Sequence, residues 1–152
     1  MGILLLYLDE SGLKDEDINK IKTLCPNRKL LISKDQETIN ANLERIEISA
    51  GRLPYELIIQ APSIRWVQQW HAGTDWLLKH PEAKKKDFIL TNVSGVHAIP
   101  ISEHILSFLL SFSRRLKKAF INQEKKLWDY PGKENTFELA GKTVLLLGTG
   151  AI

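Results

Sequence analysis

The first run of the chain, Ile3-Leu4-Leu5-Leu6-Tyr7-Leu8, is apolar at every position. A strand with one wet face would alternate apolar and polar residues, so this run predicts a strand buried on both faces, as in the middle of a parallel sheet. Ser11-Gly12 marks a turn, and Asp15, Glu16 and Asp17 then open a helix, where carboxylates face the positive end of the helix dipole. Ile18, Ile21 and Leu24 share one face of it, and Cys25-Pro26-Asn27 ends it. Leu30 to Ile32 predicts a second short strand, and Asp35 a capped helix reaching Leu43. Ile46 and Ile48 alternate with charge, which predicts a third, less buried strand ending at Ala50-Gly51. Pro54 is placed as the first residue of a short helix to Ala61. Arg65 to Trp70 predicts a fourth strand, Ala72 to Asp75 a loop whose Asp75 caps a turn carrying Trp76, Leu77 and Leu78, and Phe88 to Leu90 a fifth strand. Strands alternating with helices indicate an α/β fold with an open parallel sheet.

The pattern then changes. Between Ile101 and Leu127 there is no Gly or Pro, and Ile105, Leu109, Phe112, Leu116 and Phe120 form one stripe at helical spacing. One continuous helix there would be roughly 40 Å long, more than a small domain needs, and suited to linking domains or lining a dimer interface. A loop containing Pro131-Gly132 follows, and then Thr143-Val144-Leu145-Leu146-Leu147, another apolar run predicting a buried strand, leads into Gly148-Thr149-Gly150.

Composition narrows the class. With 43% hydrophobic and 26% charged residues the 152-residue chain is an ordinary globular sequence, which excludes disordered, collagen-like and coiled-coil proteins. Cys25 is the sole cysteine, so an intrachain disulfide and a cysteine-based zinc site are excluded, and a reducing, cytoplasmic setting is expected. The charge of +3, from 21 basic and 18 acidic residues, is too even to imply a nucleic-acid partner. Lys84-Lys85-Lys86, Arg114-Arg115, Lys117-Lys118 and Lys125-Lys126 are taken as solvated faces. The apolar run at the start is too short to span a bilayer, so no membrane partner is expected. No two histidines have helical metal-ligand spacing with a third ligand, and no metal is expected.

Two places carry candidate chemistry. Gly148-x-Gly150 after an apolar run is the opening of a G-x-G-x-x-G dinucleotide fingerprint. The first glycine permits the turn and the second lets the backbone approach a pyrophosphate. The third would fall one residue beyond Ile152, so two glycines stand alone. The other place is Ala72-Gly73-Thr74, where successive backbone N–H groups at the end of a strand can cradle a carboxylate and Gly73 lets a ligand approach closely. A plain turn before a helix is the competing reading of these three residues. His71 adjoins the cradle, either touching the ligand or standing at the rim. His97 is a further candidate contact, His104 is placed at the helix start and His80 at the surface. Trp66, Trp70 and Trp76 are taken as core residues.

Several of these stretches, in this order, resemble the D-isomer-specific 2-hydroxyacid dehydrogenases, with hydroxypyruvate and glyoxylate reductase-like or phosphoglycerate dehydrogenase-like members the most similar. Pro62-x-Ile64-Arg65-Trp66-Val67-Gln68 into Ala72-Gly73-Thr74-Asp75 is similar to the family's strand and substrate loop. Leu90-Thr91-Asn92-x-x-Gly95 followed by Ser102-Glu103-His104 is similar to the entry of its long interdomain helix, along which Arg115, Gln123 and Trp128 also fit. Leu139-x-Gly141-Lys142-Thr143 through Gly148-x-Gly150 resembles the start of its nucleotide domain.

The resemblance implies a flavodoxin-like substrate domain over residues 1–100 with helices on both faces of its sheet. A long interdomain and dimerisation helix over 101–128 and the first strand of a truncated Rossmann domain over 139–152 complete it. It implies hydride transfer between NAD or NADP and a small 2-keto or 2-hydroxy acid, held by His71, Ala72, Gly73, Thr74 and His97. Ile101, Gly148 and Gly150 fall on the cofactor side. The family's catalytic Arg, Glu and His match nothing in these 152 residues, so no catalytic residue is assigned, the chain alone is expected to be inactive, and no tightly bound cofactor is expected. A homodimer through the long helix and C-terminal segment is implied, in which Trp128 reaches the partner's cleft. A stand-alone dimerisation or small-acid-binding module, and a non-enzymatic relative that binds protein partners, are the alternative readings.

Overall fold

The computed structural model describes residues 1–152 except 130, 131, 133, 134, 149 and 152. Pro131 of the expected loop, Thr149 between the two glycines and Ile152 therefore lie outside the described residues. The chain divides into two compact units, Met1–Ser94 and Gly95–Ile152.

The first unit is built on a five-stranded sheet, all parallel, in the order β2-β1-β3-β4-β5. The strands are β1 (Gly2–Tyr7), β2 (Arg28–Ile32), β3 (Ile46–Gly51), β4 (Trp66–Gln69) and β5 (Ile89–Thr91), joined by helices α1 (Asp15–Leu24), α2 (Gln36–Asn40), α3 (Tyr55–Gln60) and α4 (Trp76–Lys79). This is the flavodoxin-like order. Chain direction reverses its walk across the sheet after β2, so right-handed crossovers place α1 on one face and the later helices on the other. The side chains follow suit. Ile3 and Leu5 of β1 pack with Ile39, Leu57, Ile58, Val67 and Trp76. Leu4, Leu6 and Leu8 pack with Ile21, Leu30, Ile32 and Ile48 on the opposite face. The unbroken apolar run is thus explained by two cores that share one strand.

β3 lies between β1 and β4 and is, as expected, less buried than β1: Ile46 and Ser49 are fully buried, while Glu47 and Ile48 are only partly so. Glu47 accepts from Nε and Nη2 of Arg28 (2.9 and 2.8 Å), so its charge is neutralised across the sheet. Three local expectations are corrected. The helix capped by Asp35 ends at Asn40 and continues only as a tight turn, Leu43–Arg45, although the cap itself forms, with Asp35 Oδ2 accepting from the Thr38 amide at 2.8 Å. Pro54 precedes α3 instead of starting it, because its ψ of 133° is extended. Asp75 sits before α4 but makes no side-chain cap.

Lys86 ties the loop before β5 to the end of α3. Its Nζ donates to the carbonyls of Ile58 (3.2 Å), Ile59 (2.5 Å) and Ala61 (2.5 Å), acceptors that a helix end leaves without intrahelical partners. Burial lowers its pKa below the ordinary lysine value.

The second unit holds α5 (Ala98–Arg114) and α6 (Leu116–Glu124). The single helix expected from Ile101 to Leu127 is therefore two. Arg115 takes a left-handed conformation, φ 53° and ψ 41°, which closes α5 and starts α6 in a new direction. That region disfavours any side chain bearing a Cβ, and nothing in the residue type announces it. Phe112 and Phe120 of the apolar stripe are exposed. The strand expected at Thr143–Leu147 joins no sheet among the described residues, and Leu145 and Leu147 are 82% and 93% exposed. A strand is held by its ladder, and this segment has no neighbour to pair with.

Two outcomes test this account. Lys86→Met should lower unfolding stability by about 1–3 kcal/mol in urea titrations, the scale of a lost charged hydrogen bond, with the native sheet signal retained. Asp35 has its pKa held below the ordinary aspartate value by the Thr38 hydroxyl first and the Thr38 amide second. A depressed folded-state pKa contributes stability above the unfolded pKa, and the contribution fades as pH falls through the folded value. Asp35→Ala should therefore be less stable than the wild type near neutrality, and the difference should narrow below about pH 4, as read by unfolding at both pH values.

Candidate functional site

In open parallel sheets, ligands meet the loops that leave the carboxyl ends of the strands, next to the point where strand order reverses. Here the reversal lies between β1 and β3. At that edge Gly51 has φ 124°, and a Cβ there would stand 2.9 Å from the Tyr7 carbonyl oxygen. No other residue could bring the two strands together in this way. The chain then turns outward through Arg52, Leu53 and Pro54. These residues, with Tyr55 and His71, line an open cavity of about 400 Å³. Arg52 is exposed and makes no ion pair among the described residues. The cavity therefore carries an uncompensated positive charge beside an imidazole.

The loop after β4 forms the adjoining wall. Ala72, Gly73 and Thr74 are exposed, His71 is half-buried, and among the described residues nothing accepts a hydrogen bond from the amides of Ala72, Gly73 and Thr74. A Cβ built on Gly73 would meet only Asp75 Oδ2, at 3.9 Å, so space remains open in front of the backbone. The loop's carbonyls, in contrast, are engaged. Gln69 Nε2 donates to the His71 carbonyl at 3.1 Å and the Gly73 carbonyl at 2.7 Å, while Asn92 Nδ2 donates to the Ala72 carbonyl at 2.9 Å. Gln69 Oε1 accepts from Trp76 Nε1 at 3.0 Å. Gln69 and Trp76 are only 3% and 4% exposed. The Trp76 indole stacks on Tyr55 with ring centroids 4.6 Å apart and planes 5° from parallel, and His80 leans on both rings.

Of the residues singled out from the sequence, His71 and the 72–74 amides thus lie together at the carboxyl edge of the first unit. His97 lies in the second unit as the residue preceding α5, its carbonyl accepting from the Ile101 amide at 3.0 Å. Gly148 and Gly150, with Ser102, Ile105, Leu106 and Leu147, line a cavity of about 590 Å³ within that unit, and Ile101 is half-buried nearby in sequence but is not among the lining residues. Gly148 has φ 96°, as a tight turn requires.

Sequence reasoning missed Arg52, Gln69 and Asn92. Arg52 carried a usable signal, since a cation directly after a buried strand falls on the ligand-facing edge. Gln69 carried none, because its partners lie on a loop and a helix that only the folded sheet brings to it. The tryptophans also divide. Trp76 is core, but Trp66 and Trp70 are partly exposed and Trp128 is 98% exposed. α1 covers only the β2-β1-β3 part of its face, which leaves Trp66 and Ile89 open. His80 is half-buried against Tyr55 and Trp76 rather than at the free surface. His104 is exposed on α5 with its ring edge-on to Phe108. Among the described residues no His, Cys, Asp and Glu side chains cluster to hold a metal ion, and no helix is long and apolar enough to cross a membrane.

No protein-family model matches the sequence. Among solved structures, the chain is similar to a D-isomer specific 2-hydroxyacid dehydrogenase family protein from Aeromonas salmonicida. The TM-score is 0.76 and the identity 26%, over 99% of this chain and 47% of that one. D-lactate dehydrogenase from Aquifex aeolicus, solved with NAD and lactic acid, gives a TM-score of 0.65 at 19% identity, over 91% and 41%. The NADPH-dependent glyoxylate/hydroxypyruvate reductase of Sinorhizobium meliloti, solved with citrate, gives 0.56 at 17%, over 94% and 43%. The last two share the fold. The chain resembles the N-terminal part of the D-isomer-specific 2-hydroxyacid dehydrogenases, in sequence as well as fold for the Aeromonas protein. It spans less than half the length of these proteins.

Proposed function

We propose that this chain is the substrate-holding part of an NAD(P)-dependent D-2-hydroxyacid dehydrogenase, taking the carboxylate of a small 2-keto or 2-hydroxy acid. The observation that carries this reading is the pairing of three unpartnered amides at 72–74 with the neighbouring cavity that holds Arg52 and His71. Backbone N–H groups and a guanidinium are complementary to a carboxylate, and charge-assisted bonds are the stronger kind. Support also comes from the place of the loop at the carboxyl edge of a flavodoxin-like sheet and from the likeness to the Aeromonas protein. His97 and Ile101 lie at the start of α5, where the resemblance puts contacts to substrate and cofactor. In this reading the chain binds the acid and transfers no hydride, since nothing in it matches the family's Arg, Glu and His and its glycine turn is only part of a cofactor cradle. The setting is the cytoplasm, in keeping with a single cysteine that has no partner for a disulfide.

The second unit supports a homodimer. Phe112, Phe120, Leu145 and Leu147 are all exposed, and exposed large apolar side chains in such number are the kind of surface that association covers. That face also suits a stand-alone dimerisation or acid-binding module, which shares the acid site and differs only in having no redox partner half.

Titration with glyoxylate, followed by amide NMR, should shift Ala72, Gly73 and Thr74. Arg52→Gln should weaken the binding about tenfold, as expected for one charged hydrogen bond. Shifts confined to other parts of the chain would sink the reading. Reduction of glyoxylate by the isolated chain with NADH or NADPH would refute its inactivity. In sedimentation velocity the chain should run as a dimer, and Phe112→Glu with Leu147→Glu should return it to a monomer; a monomeric wild type would exclude the homodimer.

A further inference from the structure

We infer that Gln69 is the positioning residue of the acid loop: its buried side-chain amide turns the loop's carbonyls inward and thereby its N–H groups outward. The inference rests on the acid-holding reading of this loop and adds to it what makes a plain turn into a receptor.

The geometry begins with Trp76. An indole N–H can only donate, so the Gln69 atom that meets it at 3.0 Å is the carbonyl oxygen Oε1. That contact sets which end of the side-chain amide faces the loop: Nε2, with two protons. Both are used, one on the His71 carbonyl and one on the Gly73 carbonyl. The described chain contains no cis peptide bond. In a trans peptide the C=O and the following N–H point in opposite directions. With the carbonyls of His71 and Gly73 drawn toward one nitrogen, the amides of Ala72 and Thr74 leave the loop on the side away from it. Asn92 acts likewise on the plane between, taking the Ala72 carbonyl and freeing the Gly73 amide.

Burial makes the arrangement stringent. Gln69 shares its sheet face with Val67, in the core that contains Trp76. Its polar atoms have no water to turn to, so a loop conformation that withdrew either carbonyl would strand a buried donor, a penalty of the same order as the bond itself. The indole is held in turn by its stack on Tyr55, whose ring also lines the Arg52 cavity. One buried side chain therefore couples the loop that offers amides to the wall that offers the cation. Gln69 does not touch the acid. It acts through the backbone of 71–74.

The test uses the full chain and two readouts. Nitrogen-15 relaxation of the Ala72, Gly73 and Thr74 amides without ligand reports loop order, and glyoxylate titration reports acid binding. Gln69→Leu should lower the loop order parameters from the rigid-backbone range to below about 0.6 while β1 and β3 keep theirs, and should weaken glyoxylate about tenfold, the equivalent of one lost hydrogen bond. Gln69→Glu is nearly isosteric and keeps an acceptor for Trp76 but loses the two-proton donor that serves both carbonyls: ionised it donates nothing, and protonated it has a single O–H. It should give the same pair of results, and it serves where the leucine variant does not fold. Unchanged loop order in the folded variants overturns the inference whatever the wild type binds. Lost order with unchanged glyoxylate affinity overturns it as well, since the amides would then need no aiming. Lost order together with a wild type that binds no glyoxylate upholds the clamp and removes the acid-holding reading instead.

Discussion

The fold depends on burying β1 on both faces. Its side chains alternate between two cores, Ile3 and Leu5 to one side and Leu4 and Leu6 to the other, and its two edges are occupied by β2 and β3. A strand with no wet face can only lie inside a sheet covered above and below. Parallel neighbours then require crossover helices, and right-handed crossovers determine which helix covers which face. The reversal of strand order beside β1 follows from this, and with it the position of the loops at the carboxyl edge.

That edge is also where polarity is allowed back into the core. Gln69 is buried at the last position of β4, one step before the chain leaves the sheet. A buried amide is tolerable only when each of its groups is paired, and here every pair runs to an element that shapes the cavity: the 71–74 loop directly, and α4 through the Trp76 indole. The second unit shows the opposite condition. Among its described residues, the helices and the C-terminal segment leave large apolar side chains such as Phe112, Phe120, Leu145 and Leu147 exposed.

Much of this was legible in the residue pattern. The apolar run of β1, the alternation of strands and helices, and the Asp35 cap are local consequences of side-chain type, and local consequences can be read locally. The departures share a cause. Lack of Gly and Pro predicts one long helix, whereas its break is a backbone conformation at Arg115. Size predicts core positions for Trp66 and Trp70, whereas Trp66 stands on the part of the sheet face that α1 leaves open and Trp70 lies past the end of β4.

The sequence by itself determined the fold class, the burial of β1 and the loop at Ala72-Gly73-Thr74, because periodicity and turn chemistry act within a few residues. Only the tertiary structure decided that Arg52 and His71 face one cavity and that Gln69 grips the loop beside it. Those relations join residues of different strands and loops, and no spacing along the chain encodes the distance between them.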